Sequence, residues 1–231
     1  AASTSVGPSV ARSGTRSIAS VPSVRAQTLQ GPDTSACTSS GTVTTTYDDR
    51  DNSSTASVGD VITVAFNNCV DTSLGTVNGS ASVTITALDS ATQFSGRMVV
   101  TNLAESETNH AITLNGSITF NFSSSLSGTD TIGITAESDL VANVHTHVFD
   151  DTVTLLAGFT QSESVDSGGT ATIAMSGSLV SRSAGGRVSV STPVALVATS
   201  DETYPHAGMV LISGSSGQMR LTVQSSSNVL V

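Results

Sequence analysis

Two histidines separated by one residue, His145 and His147, are the side chains that the sequence places best for metal chemistry. Residues i and i+2 of a β-strand point to the same face of a sheet, so both imidazoles could reach one ion. A zinc or copper site needs further ligands, and the spacing brings neither His110 nor His206 to this pair. The favoured interpretation is two polar residues on the solvent face of a strand, with a metal site at His145 and His147 as the alternative.

An acidic stretch between two predicted strands gives a second pattern. Asp49, Asp51 and Ser53 have the alternate spacing of oxygen ligands in a calcium-binding loop. Such a loop also needs glycine at its sixth position and glutamate at its twelfth, and these positions hold Ser54 and Asp60. An acidic turn explains the stretch as well and is the favoured interpretation.

The common catalytic signatures are missing from the sequence. There is no Gly-x-Ser-x-Gly elbow, no phosphate-binding loop and no dinucleotide fingerprint. Tryptophan is absent, whereas enzymes that act on sugars usually offer aromatic platforms. We therefore expect no enzymatic activity and no cofactor. The one enzymatic alternative is a metal-dependent enzyme that uses His145 and His147.

Two cysteines, Cys37 and Cys69, fit one disulfide. The bond would tie the start of a predicted strand at Thr42–Tyr47 to the end of the next at Val61–Phe66, and these ends are adjacent when the strands pair antiparallel. Two separate buried thiols are the alternative. A disulfide predicts an oxidising compartment, and the start Ala1-Ala2-Ser3 without methionine is typical of a mature secreted chain or of a trimmed one. We expect a secreted, extracellular or cell-surface protein, with the periplasm as a further possibility.

The elements that would position these residues are β-strands. Between Ile112 and Phe122 apolar and polar residues alternate strictly, with Gly116 in the apolar series, which indicates a half-buried strand. Similar segments surround Gly79, Gly96 and Gly177. Glycines at matching strand positions predict a line of bends across the sheet.

The fold class that these patterns predict is all-β. We expect an antiparallel up-and-down meander with a strongly bent, sandwich or barrel-like sheet over residues 36–231 as a single domain. No window shows a convincing helical stripe. Further strands are predicted at Asp130–Ala136, Leu140–Phe149, Thr152–Thr160, Thr170–Ser181, Arg187–Ser191, Val194–Thr199, Met209–Ser213, Gln218–Gln224 and Asn228–Val231.

Charge restricts the partners. The 231-residue chain has a net charge of −10, and its eight basic residues are all arginine. Nucleic acids and anionic membrane surfaces need a positive patch, so neither is expected as a partner. No apolar run approaches the roughly 18 residues of a spanning helix, so the chain is not expected to span a membrane.

Residues 1–35 differ from the remainder and are predicted to form an irregular basic arm. Three prolines interrupt them, and Arg12, Arg16 and Arg25 give them a charge of +3 before the first acidic residue, Asp33. The five remaining arginines and eighteen acidic residues leave the body at −13. The arm could lie on an acidic surface of its own chain or of a neighbour, and a flexible linker is the alternative.

Three functions remain open. The first is a secreted structural subunit that assembles with copies of itself, as a filament or surface layer, through arm or strand exchange. The arm arginines Arg12, Arg16 and Arg25 or the apolar tail Val229-Leu230-Val231 would make the contacts. The second is a periplasmic or extracellular carrier for an apolar ligand enclosed by the bent sheet. The third is the metal-dependent enzyme named above.

Overall fold

A computed structural model describes residues 32–71, 75–90, 92–107, 110–146, 149–200, 202, 204–226 and 228–230. Fifteen strands and no helix are found in these ranges. The strands are β1 (Asp33–Ala36), β2 (Ser40–Asp48), β3 (Val61–Asp71), β4 (Gly75–Ser90), β5 (Gln93–Glu107), β6 (His110–Ser124), β7 (Asp130–Ala136), β8 (Leu140–Thr146), β9 (Phe149–Leu155), β10 (Thr160–Val165), β11 (Thr170–Ser181), β12 (Gly186–Thr199), β13 (Ala207–Gly214), β14 (Gly217–Ser225) and β15 (Asn228–Leu230).

All fifteen strands belong to one antiparallel up-and-down sheet, as predicted. Each strand up to β7 pairs with the strand before it, and the same holds from β11 to β15. Between β6 and β11 the sheet divides. β7 pairs with the second half of β6 and β8 with its first half, and β10 and β9 likewise share β11. The pairs β7–β8 and β9–β10 therefore act as two long strands, each interrupted in the middle.

The two faces of the sheet differ in chemistry because paired residues share a face. One row across the strands is Ile62, Val83, Met98, Ile118 and Ala136. We call this side the apolar face. A row on the other side is Thr119, Thr135, Thr160, Ser176 and Ser191, and we call that side the hydroxyl face. The alternation seen in the sequence separates these two faces.

A line of irregular pairing crosses neighbouring strands of the sheet. The register shifts between β2 and β3, β3 and β4, β4 and β5, and β5 and β6. The backbone has positive φ along this line at Gly41, Asn68, Gly79, Asn102 and Gly116. The line then meets the interruptions at residues 137–139 and 156–159, and reaches Gly177 in β11. We call it the bulge line, and it is the predicted line of bends.

Asparagine side chains hold the bulge line together. Asn78 Oδ1 accepts a hydrogen bond from the backbone N–H of Asn68 at 2.8 Å, and Asn115 Oδ1 accepts one from Asn102 at 2.7 Å. Each bulged residue thus gives its N–H to the asparagine that precedes a glycine on the next strand, so the donor is not left without a partner. The two Asn-Gly pairs lie inside strands and are not hairpin turns.

The core lies on the apolar face along this line. Of the eight buried apolar residues in the described part of the chain, five are found there: Val100, Ile118, Ala136, Phe159 and Val190. Phe159 comes from the interruption between β9 and β10 and packs against Gly177, where a Cβ would lie 2.6 Å from its Cα. The glycine thus leaves room for Phe159, which packs in the core on this face.

Several predicted boundaries differ from the structure. Gly96 is not on the bulge line: it pairs with Phe120, and Asn102 occupies the line in β5. The predicted strand Leu140–Phe149 ends at Thr146, and Thr152–Thr160 is split by residues 156–159. β1 begins at Asp33, inside the range predicted to be irregular, and residues 1–31 lie outside the described ones.

Candidate functional site

His145 lies on β8, on the hydroxyl face, and its Nδ1 contacts the carboxylate of Asp150 across the β8–β9 hairpin. Both side chains are exposed, so the pair is a surface interaction that contributes little to stability. His147 lies outside the described residues. The predicted metal pair at His145 and His147 therefore stays a prediction.

The other histidines are elsewhere. His110 pairs with Thr146, the neighbour of His145, so its side chain points to the opposite face. His206 binds Glu202 through Nδ1 at 2.6 Å in the loop between β12 and β13. This hydrogen bond, with a second from the Thr199 backbone, lowers the pKa of Glu202. Among the described residues, neither histidine forms a cluster of metal ligands with His145.

The acidic loop brings three carboxylates together. Ligand oxygens of Asp49, Asp51 and Asp60 lie within 4.8 Å of one another, and Asp60 is only 2% exposed. These are the first, third and twelfth positions of the calcium-loop pattern, and Ser54 at the sixth position has the positive φ of +61° for which glycine is usual. Of the residues described, they are the best set of donors for a divalent cation.

Hydrogen bonds within the loop account for the same arrangement. Asp60 accepts from the backbone N–H groups of Arg50 and Ser57 at 2.9 and 2.7 Å. Asp49 accepts from Ser53 at 3.2 Å and from Ser54 at 2.7 Å. Hydrogen bonds from the Ser53 side chain and backbone lower the pKa of Asp51. The carboxylates thus fix the loop through its own N–H groups, which agrees with the interpretation as an acidic turn.

Asp151 is a buried carboxylate that the sequence did not single out. It is 6% exposed and lies on the apolar side of β9, opposite Val144. It accepts hydrogen bonds from the Ser181 hydroxyl at 2.5 Å and from the Arg182 backbone at 2.9 Å. Burial acts to raise its pKa, but these bonds and one from Ser183 outweigh burial and lower the pKa. Asp151 therefore fixes the turn between β11 and β12.

The disulfide between Cys37 and Cys69 is formed, with the Cα atoms 5.4 Å apart. It ties the β1–β2 turn to the end of β3, where Ser39 N–H also donates to Val70 O at 3.0 Å. The prediction of an oxidising compartment rests on this bond.

In the part of the chain that the structure describes, the two end strands of the sheet have no partner on their outer side. Among the described residues β1 pairs only with β2, and β15 only with β14. Every residue of β1 and of β15 is exposed. Val229 and Leu230 in β15 are 55% and 54% exposed, and Met219 in β14, outside the segment that pairs with β15, is 46% exposed. Of the predicted assembly residues, Val229 and Leu230 thus lie on a free edge, whereas Arg12, Arg16, Arg25 and Val231 lie outside the described residues.

Two grooves open mainly on the hydroxyl face. The larger has a volume of about 490 Å³ over β7, β10 and β11, and the smaller has about 230 Å³ beside His145, Asn143 and Thr152. Neither is a pocket of the apolar face, so they give the carrier prediction no support. The described residues include no helix long and apolar enough to cross a membrane.

Comparison with known proteins gave no match. No family model, no curated protein and no solved structure is similar to this chain at a significant level.

Proposed function

We propose that this chain is a secreted structural protein that assembles with copies of itself into a filament or surface layer by pairing of sheet edges. The observation that carries the proposal is the pair of free edges, β1 and β15, at opposite ends of one sheet. An unpaired edge strand presents N–H and C=O groups that can pair with another chain.

The two edges differ in composition, which supports pairing of the β15 edge of one chain with the β1 edge of the next. The β15 edge exposes the apolar side chains Met219, Val229 and Leu230, whereas β1 exposes Asp33, Thr34 and Ser35. Contact between unlike edges repeats head to tail, and such a contact forms an open filament unless a rotation closes it into a ring.

The short edges limit the strength of each contact. β1 has four residues and β15 has three, and short edge strands are a device that reduces unwanted pairing. We therefore expect reversible assembly that depends on concentration. The segment of residues 1–31, which carries three arginines and no acidic residue, precedes β1 in the chain. It would strengthen the contact by binding the acidic body of the neighbouring chain.

The test uses the full chain over a range of concentrations, with sedimentation velocity and negative-stain electron microscopy as readouts. Val229→Lys places a charge on the β15 edge and should abolish assembly. Val58→Lys is the matched control because Val58 is 59% exposed but lies in the loop before β3, so this variant should assemble normally. Normal assembly of Val229→Lys, or a wild-type chain that stays monomeric at the highest concentrations, would overturn the proposal.

The role of the arm needs a separate variant. Deletion of residues 1–31 leaves β1 intact and should weaken assembly, more so at low salt, where attraction between charges is strongest. If the shortened chain assembles as well as the full chain, the arm has no part in the contact.

A further inference from the structure

The larger groove of the hydroxyl face has a floor of small residues from three neighbouring strands. Gly133 of β7 pairs with Ser162 of β10, and Ser162 pairs with Ala174 of β11. Because these three paired residues are small, the surface of the hydroxyl face is lower over them than over the bulkier residues around them. Asn121 of β6 closes one end, because its amide oxygen lies 2.4 Å from where a Cβ on Gly133 would be.

The opposite end of the groove is formed by a bulge in β12. The register between β11 and β12 shifts between Ile173 and Ser176. Thr192 replaces the missing ladder partner: its hydroxyl accepts from Met175 N–H at 2.9 Å and donates to Met175 O at 3.4 Å. The next residue, Pro193, is exposed and lines the groove. The bulge thus raises a wall beside the floor.

The lining is neutral and rich in hydroxyl groups. Its side chains include no ionisable group, although the chain as a whole has a charge of −10. In the described part of the chain, the side chains of Thr135, Ser162 and Ser191 make no hydrogen bond to another protein group. These hydroxyls are free to bind a ligand, and the exposed Pro193 supplies an apolar contact beside them.

We propose that this groove binds a neutral oligosaccharide chain that lies across the strands. Free hydroxyls match sugar hydroxyls as both donors and acceptors, and a lining without charge gives no advantage to an anion or a cation. The groove is open at the surface and runs from β6 to β12, which is four strand spacings or about 19 Å, so it suits an extended chain. Strand addition is excluded here because the backbones of β7, β10 and β11 are already paired on both sides.

The test titrates the full-length protein with cellotetraose, maltotetraose and mannotetraose, with amide NMR shifts and calorimetry as readouts. Because the lining offers no aromatic platform for a sugar ring, binding should be weak. At least one neutral tetrasaccharide should bind saturably in the millimolar range, with shifts concentrated at Thr135, Ser162 and Ser176. A heparin-derived tetrasaccharide is the charged comparison and should bind at least tenfold more weakly. No saturable binding of any neutral probe, or equal binding of the sulfated one, would overturn the proposal.

Two variants place the binding in the groove. Ala174→Leu fills the floor and should weaken binding at least tenfold. Ala65→Leu is the matched control, because Ala65 is an exposed alanine of the hydroxyl face on β3, away from the groove, and binding should be unchanged. Ser162→Ala removes a free hydroxyl without filling the floor and should weaken binding severalfold. If Ala174→Leu and Ala65→Leu bind alike while circular dichroism shows both folded, the groove is not the site.

Discussion

Buried carboxylates in this protein hold loops in place. Among the residues that the structure describes, Asp60 and Asp151 are the two buried acidic ones, at 2% and 6% exposure, and both accept backbone N–H groups from a turn. A buried carboxylate without such donors would be strongly destabilising, so the two turns and the two charges depend on each other.

Asp60→Ala should be strongly destabilising. The change leaves the N–H groups of Arg50 and Ser57 without an acceptor, which we expect to cost roughly 3 kcal/mol of the free energy of unfolding. Asp48→Ala is the control because it removes only an exposed ion pair with Arg50, and the expected change is under about 1 kcal/mol. Urea unfolding of both variants measures the difference. Equal stability of the two would contradict the role given to Asp60.

Stability should fall in acid, in part because of Asp151. Its hydrogen bonds lower its pKa in the folded state, so its contribution is complete above the unfolded pKa of about 3.9 and is lost as the pH falls through the lower folded value. Hydrogen bonds that lower the pKa of Asp166 act in the same direction. Asp151→Asn should flatten the dependence of the unfolding midpoint on pH below about pH 4. An unchanged slope would show that Asp151 titrates normally in the folded protein.

At the scale of the strands, the bulge line gives each long strand its bend. Gly79 shows why glycine is needed there: its φ is +96°, and a Cβ would lie 2.0 Å from the carbonyl oxygen of Asn102. Both backbone conformation and space exclude a side chain at this position.

Gly79→Ala should lower the free energy of unfolding by at least about 3 kcal/mol, through backbone strain and the clash with Asn102. Gly214→Ala is the control, since its backbone is not strained and a Cβ would meet Val188 at an ordinary 3.5 Å. We expect a change within about 0.5 kcal/mol there. Thermal and urea unfolding measure both variants. A tolerated alanine at 79 would show that the pairing with β5 can shift without cost.

The sequence predicted most of the strands because alternation directly reports which residues face the core. It also predicted the bend at Gly79, Gly116 and Gly177. It misplaced Gly96 because a glycine can be present for a different local reason, and here the ring of Phe120 lies over it. It missed Asn102 because asparagine at positive φ has no periodic signal. The polar strand β10 was missed because Gln161 and Glu163 occupy alternate positions at which the other strands have apolar residues. The alternation of apolar and polar residues is therefore absent there.

For the candidate sites, local spacing was informative and long-range geometry was not. The disulfide could be predicted because its two strands are neighbours in sequence and in the sheet. The alternate spacing singled out Asp49 and Asp51, whereas Asp60 was counted as a departure from the calcium-loop pattern, and only the structure brings its carboxylate to the other two. The contact of Asp151 with Ser181 spans 30 residues, and the groove needs β6 to β12 in register. Neither is visible without the pairing of the strands.

At the scale of the whole molecule, the disulfide joins the first strands of the sheet. It closes a segment with a sequence separation of 32, which in the chain-entropy model contributes about 3 to 4 kcal/mol. Reduction with a thiol reagent should therefore lower the urea midpoint of unfolding. A Cys37→Ser/Cys69→Ser double variant should also unfold at a lower urea concentration than the oxidised protein. Unchanged unfolding after verified reduction would contradict this contribution.

The up-and-down order of the strands has a consequence for how this fold can change in length. Nearly every strand pairs with those next to it in the chain, so contacts are made over short stretches of sequence and folding can spread outward from one hairpin. A hairpin consists of two strands that run in opposite directions. Adding one to the end of the sheet therefore leaves an edge strand that runs in the same direction as the previous edge strand. Such a sheet can therefore grow or shrink by whole hairpins while the remaining strands keep their partners, in the manner of a repeat protein.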